Sequence, residues 1–99
     1  QLDAMGVTSL FQFCVDNALC HVADPTFLAL AEREGADCAS KVVPKAHAHE
    51  RVGVLGMQRG QPCVLEYSEI DSATAEATGE RGQLLFGAAH ICVNWFSLA

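Results

Sequence analysis

The stretch Leu10-Phe11-Gln12-Phe13-Cys14-Val15 is an apolar, strand-like run that ends in Asp16-Asn17. Its composition predicts a buried strand over residues 8–15. Downstream, Asp24-Pro25 fits the cap and first position of a helix, and Gly35 fits the left-handed position after its last turn. Ligands of α/β folds lie beyond the carboxyl ends of the strands, so Asp16 is a candidate ligand-site residue.

The remaining elements follow from periodicity and from turn residues. After the first strand the sequence predicts a helix of about ten residues from Asp24 and a strand over residues 37–43. A hairpin follows, with Arg59–Pro62 in its turn. The last elements are a short helix capped by Asp71 or Ser72 that ends near Gly79, and an extended segment over residues 83–96. This order predicts an α/β fold with a partly antiparallel sheet.

Length and charge narrow the functional classes. A chain of 99 residues allows at most one domain, and we expect residues 1–99 to be a single partial domain, cut from a larger one. The formal charge of −6, with scattered Lys and Arg residues, argues against a nucleic-acid partner. No apolar stretch approaches the ~20 residues that cross a bilayer, and no secretory signal is visible. We therefore expect a cytoplasmic protein without a membrane partner.

Five cysteines stand at positions 14, 20, 38, 63 and 92 without CxxC spacing. An odd number at such spacing disfavours a disulfide framework or a zinc site. We expect them to be small buried side chains in a reducing compartment.

Two carboxylates carry the candidate chemistry, and each leaves two interpretations open. Asp16 could bind Mg²⁺, which takes one or two carboxylates together with substrate phosphates, or could cap a turn through its own side chain. Glu66, within the apolar run around Leu65 and Tyr67, could accept hydrogen bonds from substrate hydroxyls or face solvent on an alternating strand. His47 and His49 alone are too few for zinc, and a solvated loop is expected there.

Four blocks of sequence, taken in order, resemble one family. From about Val7 to Phe96 the chain resembles the middle of the eukaryotic UDP-N-acetylglucosamine pyrophosphorylases. The blocks are Phe13–Leu19 with Val22–Pro25, Gly35–Cys38 with Lys41–Lys45, Val52–Val54 with Val64–Ile70, and Leu84–Phe86.

The resemblance implies part of a GT-A-like, Rossmann-like nucleotidyltransferase domain with a mixed sheet. The family joins UTP and N-acetylglucosamine 1-phosphate with Mg²⁺ and releases pyrophosphate. By resemblance, Asp16 is the catalytic and metal-side acidic residue, and Glu66 and Tyr67 contact the sugar. The family's glycine-rich nucleotide loop lies upstream of the matched part, so we expect the isolated 99-residue chain to be inactive.

One departure bears on the sugar site. Gly87-Ala88-Ala89-His90 stands where the family has Asn-Ala-Gly-Asn, and Val93-Asn94-Trp95-Phe96 replaces Asn-His-Phe-Phe. By resemblance, Gly87 stands at a substrate-binding position where the family has an asparagine, and we expect the lost amide to cost ~1–3 kcal/mol of binding. Two alternatives stay open: a non-catalytic binding or scaffold relative, and a pyrophosphorylase for another sugar 1-phosphate.

Overall fold

A computed structural model of the chain describes residues 1–98. They fall into two compact units: unit 1 comprises residues 1–41 with the segment from Cys92 onward, and unit 2 comprises residues 42–91. The elements are a 3₁₀ helix (Asp3–Met5), β1 (Ser9–Gln12), α1 (Pro25–Arg33), β2 (Cys38–Pro44), β3 (Val54–Gln58), β4 (Gln61–Leu65), α2 (Ser72–Glu76) and β5 (Ala88–Ser97). The predicted α/β class and element order are confirmed; only the 3₁₀ helix was not expected.

The first strand is shorter and more exposed than predicted. In unit 1, β1 pairs antiparallel with the end of β5, from Ser9 opposite Ser97 to Gln12 opposite Asn94. Past Gln12 the chain has no partner on β5 and turns away, so Val15 is 98% exposed rather than buried. The expectation of a buried strand over residues 8–15 is therefore wrong at its end.

Both ends of α1 are capped as the sequence predicts. The Asp24 side chain accepts a hydrogen bond from the Thr26 backbone N–H at 3.1 Å, and Pro25 opens the helix. Gly35 has φ of 61°, which costs a glycine nothing, and the next N–H, that of Ala36, donates to the Ala31 carbonyl at 3.1 Å.

Alternation along β5 separates apolar from polar contacts in unit 1. Val93 and Trp95 are buried, and Asn94 lies between them on the opposite face. The Asn94 amide donates to Gln12 Oε1 at 2.8 Å and accepts from the Ser40 hydroxyl at 2.7 Å. This side-chain amide thereby joins β1, β2 and β5.

Unit 2 is built around β3. It pairs antiparallel with β4, from Val54 opposite Leu65 to Gln58 opposite Gln61, and Val54 also lies opposite Ala89 of β5. The hairpin turn consists of two residues, Arg59 and Gly60, with φ of 52° and 77°. Positive φ at both positions is typical of a type I′ turn, so the turn is tighter than predicted and Pro62 belongs to β4.

The last two elements begin or end away from their predicted positions. Asp71 caps α2 by accepting from the Thr74 backbone N–H at 2.7 Å, but α2 ends at Glu76, before Gly79. The extended segment predicted from residue 83 becomes β5 only at Ala88. Among residues 1–98 no helix is long and apolar enough to cross a membrane.

The expectation of buried cysteines is wrong. None of the five is in a disulfide and none is buried: Cys14, Cys38 and Cys92 are exposed, and Cys20 and Cys63 are half-buried. Cys14 lies beyond the paired part of β1, and Cys92, within β5, has φ of 55°, which is left-handed backbone inside a strand.

Trp95 carries an unpaired donor into the core of unit 1. Its side chain is 3% exposed, and its Nε1 is buried without a hydrogen-bond partner. An unsatisfied buried donor costs about 1–3 kcal/mol. Replacing Trp95 by Phe removes that donor together with some apolar contact, so the two effects oppose each other.

We therefore expect Trp95→Phe to change the free energy of unfolding by no more than about 1 kcal/mol, whereas Trp95→Ala should lose about 3–5 kcal/mol. Urea denaturation of the two variants makes the comparison. A loss above about 2 kcal/mol in Trp95→Phe would show that Nε1 has a partner.

Asp24 makes a pH-dependent contribution to the stability of unit 1. The Lys41 ammonium, hydrogen-bonded to the Asp24 carboxylate, lowers the pKa of that carboxyl, and the Thr26 N–H adds to the effect. Lys41 also lies 5.3 Å from the centroid of the Phe27 ring on α1.

A carboxyl whose pKa is lowered by folding stabilises the folded state at pH above its unfolded-state pKa of about 4. This stabilisation is lost as the pH falls through the folded-state pKa. We expect Asp24→Asn to be less stable than wild type at pH 6 and the gap to narrow at pH 3. Urea midpoints at both pH values measure this gap. In a Lys41→Met background, Asp24→Asn should cost much less stability at pH 6, because the ion pair is already absent. A gap that is equal at both pH values would contradict the assignment.

Candidate functional site

Asp16 lies in an exposed turn beyond β1, in unit 1. The side chain that closes this turn belongs to its neighbour, because Asn17 Oδ1 accepts from the Leu19 N–H at 3.3 Å. The Asp16 backbone carbonyl accepts a hydrogen bond from the Ala18 N–H at 3.1 Å. Within residues 1–98 its carboxylate has no hydrogen bond or ion pair, so the turn-capping interpretation describes Asn17 rather than Asp16.

A complete metal cage is not found in the part of the chain that the structure describes. Among residues 1–98, no group of three or more His, Cys, Asp or Glu residues is placed to hold a metal ion. Mg²⁺ needs only one or two carboxylates when substrate phosphates and water supply the other ligands. The free carboxylate of Asp16 fits that donor set as a single protein ligand.

Glu66 lies one residue beyond β4, at the start of a turn, and not inside the strand as expected. The Glu69 N–H donates to the Glu66 carbonyl at 2.9 Å, which fixes the backbone of this turn. The Glu66 side chain is exposed, and its carboxylate accepts no hydrogen bond from residues 1–98. It is therefore available to a ligand.

Gly53 leaves the space that the Glu66 carboxylate uses. A Cβ on Gly53 would stand 3.1 Å from Val64 Cγ1 and 3.4 Å from Glu66 Oε1. The Gly53 carbonyl accepts from the His90 N–H at 2.8 Å, which holds the residue against the start of β5. A side chain here would crowd the carboxylate, so glycine sets how closely β3 approaches Glu66.

Tyr67 and Gly87 line different cavities of unit 2. Tyr67 is half exposed and borders a cavity of about 180 Å³. Gly87 borders an open, mainly apolar groove of about 530 Å³ between residues 42–45 and 83–88. Lys45 lines both. Glu66, Tyr67 and Gly87 thus belong to one unit, but these cavities do not bring all three together.

Gly87 does not have the left-handed backbone that favours glycine. Its carbonyl accepts from the Lys45 N–H at 2.9 Å. A Cβ at this position would lie 3.1 Å from the Leu84 carbonyl oxygen, so an asparagine requires a shift of a few tenths of an ångström in that backbone.

Sequence reasoning missed a cluster of charged side chains on the loop before β3. His49 Nε2 lies 2.7 Å from Glu76 Oε1 at the end of α2, so this histidine is paired with a carboxylate rather than simply solvated. Lys45 and Arg51 flank the same loop and line the 180 Å³ cavity with Tyr67. The alternation of charged residues over 45–51 was the available signal, but nothing in it indicated the α2 partner.

The chain belongs to the family described as UTP–glucose-1-phosphate uridylyltransferase, whose family model matches residues 1–99. Among curated proteins, it is 46% identical over 93 residues to a probable UDP-N-acetylglucosamine pyrophosphorylase of Dictyostelium discoideum, covering 93% of this chain and 19% of that protein. It is 43% identical over 96 residues to the human UDP-N-acetylhexosamine pyrophosphorylase-like protein 1, covering 97% of this chain and 19% of the relative.

A solved structure of a similar protein has the same fold. The crystal structure of the UDP-N-acetylglucosamine pyrophosphorylase of Trypanosoma brucei, in complex with an inhibitor, superposes with a TM-score of 0.89 at 37% identity. The match covers 98% of this chain and 18% of that one. The chain therefore spans about a fifth of the length of the relatives that it matches.

Proposed function

We propose that this chain is part of a uridylyltransferase that makes UDP-N-acetylglucosamine and pyrophosphate from UTP and N-acetylglucosamine 1-phosphate. The proposal is supported by family membership and by the names of the similar proteins. The observation that carries it is the Glu66 carboxylate, which accepts no hydrogen bond from residues 1–98 and lies beside Gly53. A carboxylate with free acceptor positions suits the hydroxyl groups of a sugar.

In this proposal each named residue binds or orients a substrate. Glu66 accepts hydrogen bonds from sugar hydroxyls and Tyr67 borders the same substrate. The Asp16 carboxylate is the protein ligand for Mg²⁺, which supplies charge neutralisation at the reacting phosphates. Transfer of this kind depends on positioning and on electrostatic stabilisation, so no protein nucleophile is required.

We also propose a cytoplasmic location. The five cysteines form no disulfide, and three of them are exposed, which suits a reducing compartment.

Gly87 favours a second candidate, a pyrophosphorylase for a different sugar 1-phosphate. The position lacks the amide that the family resemblance leads one to expect. A sugar without the corresponding polar group would leave nothing unpaired in such a site. The non-catalytic alternative predicts no turnover with any sugar phosphate.

The direct test is pyrophosphate release by the full-length protein that carries residues 1–99. UTP and Mg²⁺ are supplied with N-acetylglucosamine, N-acetylgalactosamine or glucose 1-phosphate in turn. Turnover fastest with the first supports the proposal, and preference for another sugar selects the second candidate. No turnover with any of them, in a folded protein, would sink both. We expect the isolated 99-residue chain to release no pyrophosphate.

Asp16→Asn is expected to lower turnover of the full-length protein by orders of magnitude while its melting temperature barely moves. The change is nearly isosteric and removes only the charge of an exposed side chain that has no partner among residues 1–98. Asn17→Ala is the matched control for the turn, since Asn17 makes the local hydrogen bond. Full activity in Asp16→Asn, or its unfolding, would refute the assignment.

Glu66→Ala is expected to raise KM for the sugar phosphate at least tenfold and to leave KM for UTP within about twofold, because one charged acceptor is worth about 1.5–3 kcal/mol. Glu80→Ala removes another exposed carboxylate of unit 2, outside this turn, and is the matched control. Gly87→Asn should lower KM for N-acetylglucosamine 1-phosphate if the Leu84 carbonyl yields to the new side chain. Unchanged KM in both variants would remove residues 66 and 87 from the sugar site.

A further inference from the structure

The cavity beside Tyr67 in unit 2 has a small volume and a polar lining. It measures about 180 Å³, below the roughly 300–1,000 Å³ typical of drug-sized ligand sites. Its polar lining residues are Lys45, His49, Glu50, Arg51, Tyr67 and Ser72. A cavity of this size accommodates a single small polar group.

Two cations on this cavity are not neutralised by the fold. The chain has six Lys and Arg residues and a net charge of −6, so carboxylates are plentiful. Arg33 and Lys41 form ion pairs with Glu34 and Asp24. Within residues 1–98, neither Lys45 nor Arg51 is within ion-pair distance of any carboxylate.

The backbone holds Lys45 in place and leaves most of its donors free. Its N–H donates to the Gly87 carbonyl at 2.9 Å, and its ammonium donates to the Ala48 carbonyl at 2.8 Å. An ammonium has three N–H donors, so two remain. The Arg51 guanidinium makes no hydrogen bond within the described residues and offers its planar fork of donors.

The carboxylates near the cavity are already engaged elsewhere. Glu50 Oε2 accepts from the Ala46 N–H at 2.6 Å, and Glu76 pairs with His49 at 2.7 Å. The Glu50 and Glu76 carboxylates reduce the positive charge of the cavity but form no ion pair with Lys45 or Arg51. The remaining donors therefore favour a ligand that carries its own negative charge.

We propose that this cavity binds a phosphate group through Lys45 and Arg51. Phosphate oxygens accept charge-assisted hydrogen bonds from both side chains, and arginine matches phosphate geometry with two parallel bonds. Tyr67 and Ser72 also line the cavity, and their hydroxyls are neutral donors. Free phosphate and the phosphate of a sugar 1-phosphate both have this chemistry. The sugar 1-phosphate as the source rests on the proposed function, because Tyr67 lines this cavity and also borders the proposed sugar site.

The test is calorimetric titration of the full-length protein that carries residues 1–99. Inorganic phosphate and N-acetylglucosamine 1-phosphate are titrated in separate experiments at the same ionic strength. We expect saturable phosphate binding with Kd on the order of 1 mM. Arg51→Gln and Lys45→Met should each weaken it about five- to tenfold. Arg59→Gln makes the same charge change in the hairpin turn of the same unit, off the cavity, and should change Kd by less than about twofold.

If wild type binds the sugar phosphate more tightly than free phosphate, and Arg51→Gln weakens the binding of both ligands by the same factor, the bound phosphate is that of the substrate. Absence of saturable binding of either ligand would overturn the proposal, as would equal weakening by Arg59→Gln and Arg51→Gln. Arg51 is exposed, so its variant should fold, and equal urea midpoints verify this even if Lys45→Met is unstable. Turnover is not the readout, so failure here is distinct from failure of the proposed uridylyl transfer.

Discussion

The burial of Val54 at the start of β3 is the constraint on which unit 2 depends. Val54 is fully buried and lies opposite Leu65 of β4 on one side and Ala89 of β5 on the other. A central position between two strands fixes the register of both, because a slip by one residue would turn this apolar side chain to the opposite face. The ends of β4 and β5 are thereby set relative to β3.

The candidate sugar site follows from that register. Gly53 precedes Val54, so it comes against the residue that follows Leu65, which is Glu66. The absence of a side chain on Gly53 leaves room for the carboxylate, and the hydrogen bond from the His90 N–H holds Gly53 there. An exposed acceptor is thus placed directly after β4 and beside the start of β3, which preorganises it for a ligand.

Local sequence signals predicted the parts of the fold that local interactions determine. The α1 caps at Asp24 and Gly35 are closed by residues two to five positions away, so the sequence contains both partners. The end of β1 was misjudged because Phe13, Cys14 and Val15 are apolar, yet β5 offers them no pairing partner. Hydrophobicity along one segment does not show where its neighbour ends.

The candidate site was predicted unevenly for the same reason. Asp16 and Glu66 were candidates from their positions along the sequence, whereas Tyr67 and Gly87 came from the family resemblance. The structure adds that Gly53 leaves space beside the Glu66 carboxylate. The charged cavity escaped prediction since its His49–Glu76 pair joins residues that are distant in sequence. The unpaired Trp95 Nε1 could not be foreseen either, because it depends on what surrounds β5.

The central claim is that Glu66, positioned by Gly53, contacts the sugar. The most direct measurement is a crystal structure of the full-length protein with N-acetylglucosamine 1-phosphate bound. The account predicts a sugar hydroxyl within about 3 Å of a Glu66 carboxylate oxygen, with the ring against Gly53. A sugar bound elsewhere, with the Glu66 carboxylate still facing solvent, would contradict it.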